Sequence, residues 1–196
     1  MATQIIDPVP AQFSARWLKG YYFTRFAFSA AWVAIAFGVA RNVPPLAAIM
    51  LVVYPAWDAI ANVVDAQRSG GVGRNKSQVL NFFVSVVTAI AVAVALGKSM
   101  SDVLIVFGLW AGLSGILQLI TGVRRWKSYG AQWAMILSGA QSALAGVFMV
   151  KMAGGPEPVG IANVAPYAAF GAFYFLVSAV WLTVSDARKA APRAGN

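Results

Sequence analysis

The chain has 196 residues, of which 60% are hydrophobic and 11% charged, with a formal net charge of +9 and a mean hydropathy of +0.70. A soluble domain is about half apolar and about a quarter charged, and one of this size has no room to hide so much apolar surface; a bilayer removes the need to hide it. The absence of both cysteine and histidine excludes disulfides, thiolate metal sites and cysteine nucleophiles, and it removes the commonest metal ligand, general base and haem ligand.

Residues 1–20 are expected to be a cytoplasmic N-terminal segment. Asp7, Pro8 and Pro10 leave no apolar stretch for a cleavable signal, so the first long apolar run is expected to be a retained span. Phe13, Trp17 and Tyr21 recur every four residues, with Gln12, Arg16 and Lys19 on other faces. That pattern predicts a short interfacial helix on the cytoplasmic leaflet; a frayed start to the first span is the plainer alternative. Six apolar runs of about 20 residues, enough to cross a bilayer, follow at 21–40, 44–64, 79–97, 103–123, 131–151 and 161–184. They make residues 21–184 an expected transmembrane domain and leave 185–196 as a cytoplasmic tail.

The connections are short. Arg41-Asn42-Val43-Pro44-Pro45 and Gly97-Lys98-Ser99-Met100-Ser101 carry tight-turn residues, and the stretch from Ala153 to Gly160 is rich in Gly and Pro. Short connections make consecutive helices antiparallel neighbours. The expected fold class is an all-α integral membrane protein, six transmembrane helices arranged as three antiparallel hairpins.

Lys and Arg set the orientation. Arg16, Lys19, Arg25, Arg68, Arg74, Lys76, Arg124, Arg125, Lys127, Arg188, Lys189 and Arg193 fall on one side, against Arg41, Lys98 and Lys151 on the other. This bias places both termini and the second and fourth loops in the cytoplasm. It also accounts for the basic charge without nucleic acid as a partner.

The even-numbered spans align without gaps. Trp57-Asp58-Ala59-Ile60-Ala61-Asn62 matches Trp110-Ala111-Gly112-Leu113-Ser114-Gly115 and Tyr174-Phe175-Leu176-Val177-Ser178-Ala179. Each begins with an aromatic, carries a small residue four positions later and is followed by basic residues, as parallel repetition of a helical hairpin would produce. The run from Gly108 to Leu119, followed by Arg124-Arg125, resembles the HdeD-like family of bacterial acid-resistance membrane proteins. Trp133-Ala134-Met135-Ile136-Leu137-Ser138-Gly139, leading to Ala145-Gly146-Val147, fits the same pattern. Spans one and two depart from it at Pro55, Asp58, Asn62 and Asp65. The resemblance implies a six-span inner-membrane protein of hairpin repeats, associated in some members with acid stress and with no enzyme activity.

The most informative polar residues lie on span two. Asp58, Asn62 and Asp65 are spaced to share one helix face. Counted inward from Arg68, Asp58 lies roughly 15 Å deep, near the midplane. An ionised carboxylate there costs at least about 2.5–3.5 kcal/mol unless it is paired or wetted. Arg25, about one turn into span one, is expected to pair with Asp65. Asp58 is then either a proton- or cation-linked site, with Asn62 beside it, or a structural group that fixes register. Pro55, three residues earlier, frees a carbonyl in mid-span and favours a kink.

Small residues mark expected packing faces. Gly108 and Gly112 form a GxxxG, and Ser138, Ser142 and Gly146 repeat every four residues, so backbones can approach closely. Gly70-Gly71-Val72-Gly73-Arg74-Asn75-Lys76-Ser77 is one residue from a phosphate-binding loop, but Asn75 replaces the required glycine and no strand is expected before it. It is expected to be a basic cytoplasmic loop suited, like Arg68, Arg124, Arg125 and Lys127, to anionic headgroups. Lys98 and Lys151 lie at span ends, which leaves no buried lysine for a Schiff base.

Three classes of function remain. The first is a non-enzymatic membrane protein acting through helix or lipid contacts, in acid-stress protection or as an accessory subunit of a larger complex. The second is a small proton- or ion-linked transporter or channel using Asp58. The third, a membrane-embedded enzyme, lacks His, Cys and paired carboxylates, so no catalytic, metal or cofactor-binding residues are assigned. The expected partners are the bilayer, with bound lipid compatible, and a second membrane protein or another copy of the chain.

Overall fold

The computed structural model describes residues 11–68, 71–73, 75–124 and 132–190. Among the described residues the fold is all helical, with no strand. It consists of α1 (Ala11–Gly38), a 3-10 turn (Ala40–Asn42), α2 (Pro44–Arg68), α3 (Lys76–Leu96), α4 (Met100–Arg124), α5 (Gln132–Ala153) and α6 (Ile161–Ala190). Five helices are long and apolar enough to cross a membrane, within α2, α3, α4, α5 and α6. α1 is long enough but the least apolar of the six, because it carries Arg16, Lys19 and Arg25. The stretch holding Phe13, Trp17 and Tyr21 is not a separate helix: it forms the first turns of α1, without a break. Helix α6 likewise continues through residues 185–190, expected as tail.

Consecutive helices run up and down around a ring, and α6 returns to α1. The most extensive packing joins α4 with α5, α1 with α6 and α2 with α3; α1–α2 and α5–α6 touch lightly. The short connections pointed instead to close packing within pairs 1–2, 3–4 and 5–6. A tight turn fixes adjacency only at one end, whereas close packing along the whole length depends on which faces carry small residues.

The α4–α5 pair shows this directly. Gly108 lies against Gly146, and Gly115 against Gly139, so closely that a methyl added at Gly115 would sit 2.5 Å from the Ala143 nitrogen. The Ser142 hydroxyl donates across the same seam to the Ala111 carbonyl at 2.9 Å. The contacting glycines recur every seven residues on both helices, the period of near-antiparallel packing at about 20°. Gly112 differs from expectation: its backbone touches Gly146, but a methyl in its own place would meet nothing within 4 Å. Ser138 takes no part in these contacts; its neighbour Gly139 does.

The core fills the half of the bundle nearest the tight turns. Trp32, Leu51, Phe107, Val164 and Ala168 are buried there. An aromatic ladder crosses from α1 to α6: Trp32 to Tyr54 at 4.9 Å, Tyr54 to Trp110 at 6.1 Å and Trp110 to Tyr167 at 5.9 Å between ring centroids. The Trp32 indole donates to the Met50 carbonyl at 2.9 Å, next to the Leu51 carbonyl that Pro55 leaves without its helical donor. Two of the helix starts at this end, those of α4 and α6, are capped. The Asp102 amide donates to the Ser99 hydroxyl at 3.0 Å, and the Gly160 amide to the Asn163 side chain at 2.8 Å. Outward faces are apolar stripes at helical spacing, such as Phe83, Val87, Ile90 and Val94 on α3 and Leu109, Leu113, Ile116 and Ile120 on α4. Such faces are stable against lipid and costly against water.

Candidate functional site

Where α2 carries its polar face, four helices meet. Arg25 of α1 forms an ion pair with Asp58 of α2 through Nη2 and Oδ1. The other carboxylate oxygen accepts from the Ser85 hydroxyl of α3 at 2.8 Å and from the Asn62 amide at 2.8 Å. Asn62 also donates to the Asp58 backbone carbonyl. Arg25 donates further to the Tyr21 hydroxyl at 3.1 Å and lies over the Phe175 ring of α6 at 4.3 Å. The Arg25 and Asp58 side chains are 14% and 18% exposed. Asn62 and Ser85 are buried.

This corrects the expected Arg25–Asp65 pair: Asp65 lies two turns nearer the basic end of α2, where the Gln78 amide reaches it at 3.4 Å. The register follows from the tight turn. Arg25 lies 15 residues before Ala40, and Asp58 lies 14 after Pro44, so an antiparallel pair sets them side by side. Counting inward from Arg68 missed this, because α1 extends back to Ala11 and its basic end is not level with Tyr21. Ser85, which completes the cluster, stood in an apolar run and carried no signal of its own.

The aligned even spans show how the first repeat differs. Asp58 corresponds to Ala111 and Phe175, and Asn62 to Gly115 and Ala179. At these positions α4 meets α5 through bare backbone and a glycine, α6 offers an aromatic face to Arg25, and α2 meets its neighbours through hydrogen-bonding side chains. The same helix face is zipped by glycine in one place and pinned by charge in another.

Around the basic end, Lys19 of α1 pairs with Asp186 of α6 at 3.6 Å. Arg68 stacks over the Trp17 ring at 5.1 Å. Lys76 begins α3. Arg74, Arg125 and Lys127 lie outside the described residues, as does the side chain of Arg124. In the near phosphate-binding stretch, a helix and not a strand comes first. Asn75 ties the loop back, donating to the Ala66 and Gly71 carbonyls at 3.2 and 2.9 Å, and Gly71 holds a left-handed φ of 93°. The residue that breaks the motif is therefore the one that shapes the loop.

A lateral groove opens between α1 and α2 beside the ion pair. Its volume is about 470 Å³, and Arg16, Trp17, Arg25, Trp57, Ile60 and Val64 are among its walls. Loose α1–α2 contact leaves this space. The sequence singled out Arg25 for its charge, whereas Trp57 stood out only as the aromatic that opens the repeat.

Fold and site together describe a helical bundle with five helices long and apolar enough to cross a membrane, enclosing the Arg25–Asp58 ion pair. A family model described as a short repeat of unknown function (DUF308) matches residues 83–151, about a third of the chain, covering most of α3 and the glycine-zipped α4–α5 pair. No curated protein and no solved structure matches the chain.

Proposed function

We propose that this chain is a non-enzymatic protein of the bacterial inner membrane, with six spans in three repeated hairpins and both ends in the cytoplasm. It works by lateral contact with lipid and with other membrane helices, as an accessory subunit of a larger membrane complex or as an HdeD-like protein in acid-stress protection. The observation that carries this reading is the closure of the Arg25–Asp58 cluster. Both carboxylate oxygens are engaged, by a guanidinium on one side and an amide and a hydroxyl on the other. A group so occupied pins α1, α2 and α3 together. The apolar stripes on the outer faces and the repeat match over residues 83–151 support the lateral role. α1, the least apolar helix, spans in this reading with its one mid-span charge neutralised by Asp58.

Extraction in mild detergent tests the proposal. The expected particle is larger than one 20.7 kDa chain in its detergent belt, with a partner or further copies; a lone monomer counts against it. The acid-stress form has a second test. Asp102 and Glu157 are the acids near the tight turns. Survival at about pH 3 is expected to fall when both are neutralised, and unchanged survival removes them as sensors.

A transporter reading has one observation in its favour: the groove reaches Arg25 from the basic end, so the ion pair has a route to one side of the membrane. A pH- or ion-driven flux that depends on Asp58 would put this reading first.

A further inference from the structure

The six helices divide into two bodies. Helix α1 packs closely on α6, while α2, α3, α4 and α5 pack in succession; the seams between these two sets, α1–α2 and α5–α6, are the lightly packed ones. The course of the chain follows the same division. It crosses from one body to the other at the turn Ala40–Asn42 and again between α5 and α6, both at the tight-turn end. At the basic end the connections from α2 to α3 and from α4 to α5 stay within the four-helix body. No loop between helices ties the α1–α6 pair to its neighbours there.

The two ends of the seams also differ in kind. Near the turns the bodies meet through the packed core, where Ala40 and Ile161 are buried, Trp32 packs on Tyr54 and Tyr167 packs on Trp110. From mid-bundle to the basic end they meet through the tips of side chains. Arg25 reaches Asp58, the Tyr174 hydroxyl donates to Gln141 Oε1 at 2.7 Å, and Arg68 lies over Trp17. The ion pair is the strongest of these ties, since both partners carry charge. Closure has a cost as well. Arg25 Nε and the indole nitrogens of Trp17 and Trp57, all along the α1–α2 seam, are buried without an acceptor. Parting the seam lets water reach them, which offsets part of the loss of the ion pair.

We propose that the α1–α6 pair rocks as one body against α2–α5, hinged at the tight-turn end, with the Arg25–Asp58 pair as the latch that holds it closed. Arg25 lies 15 residues from Ala40, an arm of roughly 22 Å. A tilt of about 10–15° about the turns moves the far end of that arm by roughly 5 Å, which separates the charges and widens the groove beside them. The inference goes beyond the proposed function and does not depend on lateral assembly.

Pulsed electron paramagnetic resonance tests it. The chain has no cysteine, so nitroxide pairs are placed on introduced cysteines at exposed positions. The full chain is held in nanodiscs and diluted with unlabelled chain, so that only distances within one molecule are read. Phe23 with Leu80 and Leu137 with Val184 report across the two seams in the basic half. Phe23 with Val184 and Leu80 with Leu137 each report within one body, and Val39 with Val94 reports across the bodies at the turn end. The double variant Arg25→Gln/Asp58→Asn removes the latch without stranding a charge. In it both cross-seam distances are expected to lengthen by roughly 5 Å, while the other three stay as in the parent. Arg25→Lys, which keeps a charge at the site, is expected to move the same two distances by less. Unchanged cross-seam distances in the double variant overturn the latch. A shift of Phe23 from Leu80 with none of Leu137 from Val184 means that α1 swings alone and overturns the two-body division. If all five distances change together in both variants, the charges hold the fold as a whole and there is no hinge. A complete hinge motion in a chain that proves monomeric leaves this inference standing and removes only the lateral-assembly reading.

Discussion

Arg25 meets Asp58 with little solvent around either, and each charge relies on the other. Asp58→Asn leaves a guanidinium enclosed with its counter-charge gone, a loss of about 3–5 kcal/mol for a buried pair. The expected outcome is a large fall in the melting temperature measured in detergent. Adding Arg25→Gln to that variant recovers part of the loss, because the stranded charge goes too. Asp65→Asn, near the basic end and outside the ion pair, costs much less. Equal effects of Asp58→Asn and Asp65→Asn would return the pairing to Asp65. The sequence carried enough to place Asp58 deep and to make Arg25 its neighbour in kind. It did not reveal the partner, because depth was counted from the basic edge instead of the tight turn between Ala40 and Pro44. The unpartnered indoles of Trp17 and Trp57 were not legible at all, since an orphaned N–H is a property of the surroundings and not of the residue type.

Among the elements, α4 and α5 form the tightest pair, and their seam makes a sharp contrast available. Gly115→Ala and Gly146→Ala push a methyl to within 2.5 Å of the facing backbone. Each is expected to cost about 1–3 kcal/mol, as overpacking does. Gly112→Ala meets nothing within 4 Å and is expected to stay within about 0.5 kcal/mol of the parent. Chemical or thermal unfolding in mixed micelles checks both. If Gly112→Ala proves as damaging as Gly115→Ala, the four-residue motif rather than the seven-residue seam carries the packing. The small residues of this face were visible in the sequence, with Gly108, Ser142 and Gly146 in their places. Gly115 and Gly139 were passed over because the spacing sought was four, while two long helices crossing at a shallow angle meet every seven. Helix existence was legible throughout, since apolar runs of this length have few other ways to satisfy their backbone. Close pairing was not, because loop length constrains ends and not faces.

At the scale of the molecule, a ring of antiparallel helices presents apolar stripes outward, closes its core near the tight turns and holds the Arg25–Asp58 pair toward the other end. The chain has no cysteine, so a single introduced one reports topology cleanly. Gly155→Cys is expected to react with an impermeant thiol reagent on intact cells, and Gly73→Cys only after permeabilisation; the reverse result inverts the proposed orientation. In the proposed function, Asp58 holds the bundle together and carries nothing across it. Reconstituted vesicles settle this most directly, with pH- and ion-driven flux measured for the parent and for Asp58→Asn, alongside their melting temperatures. No Asp58-dependent flux is expected, together with a clearly lower melting temperature in the variant. A flux present in the parent and lost in Asp58→Asn, with the melting temperature unchanged, would contradict it.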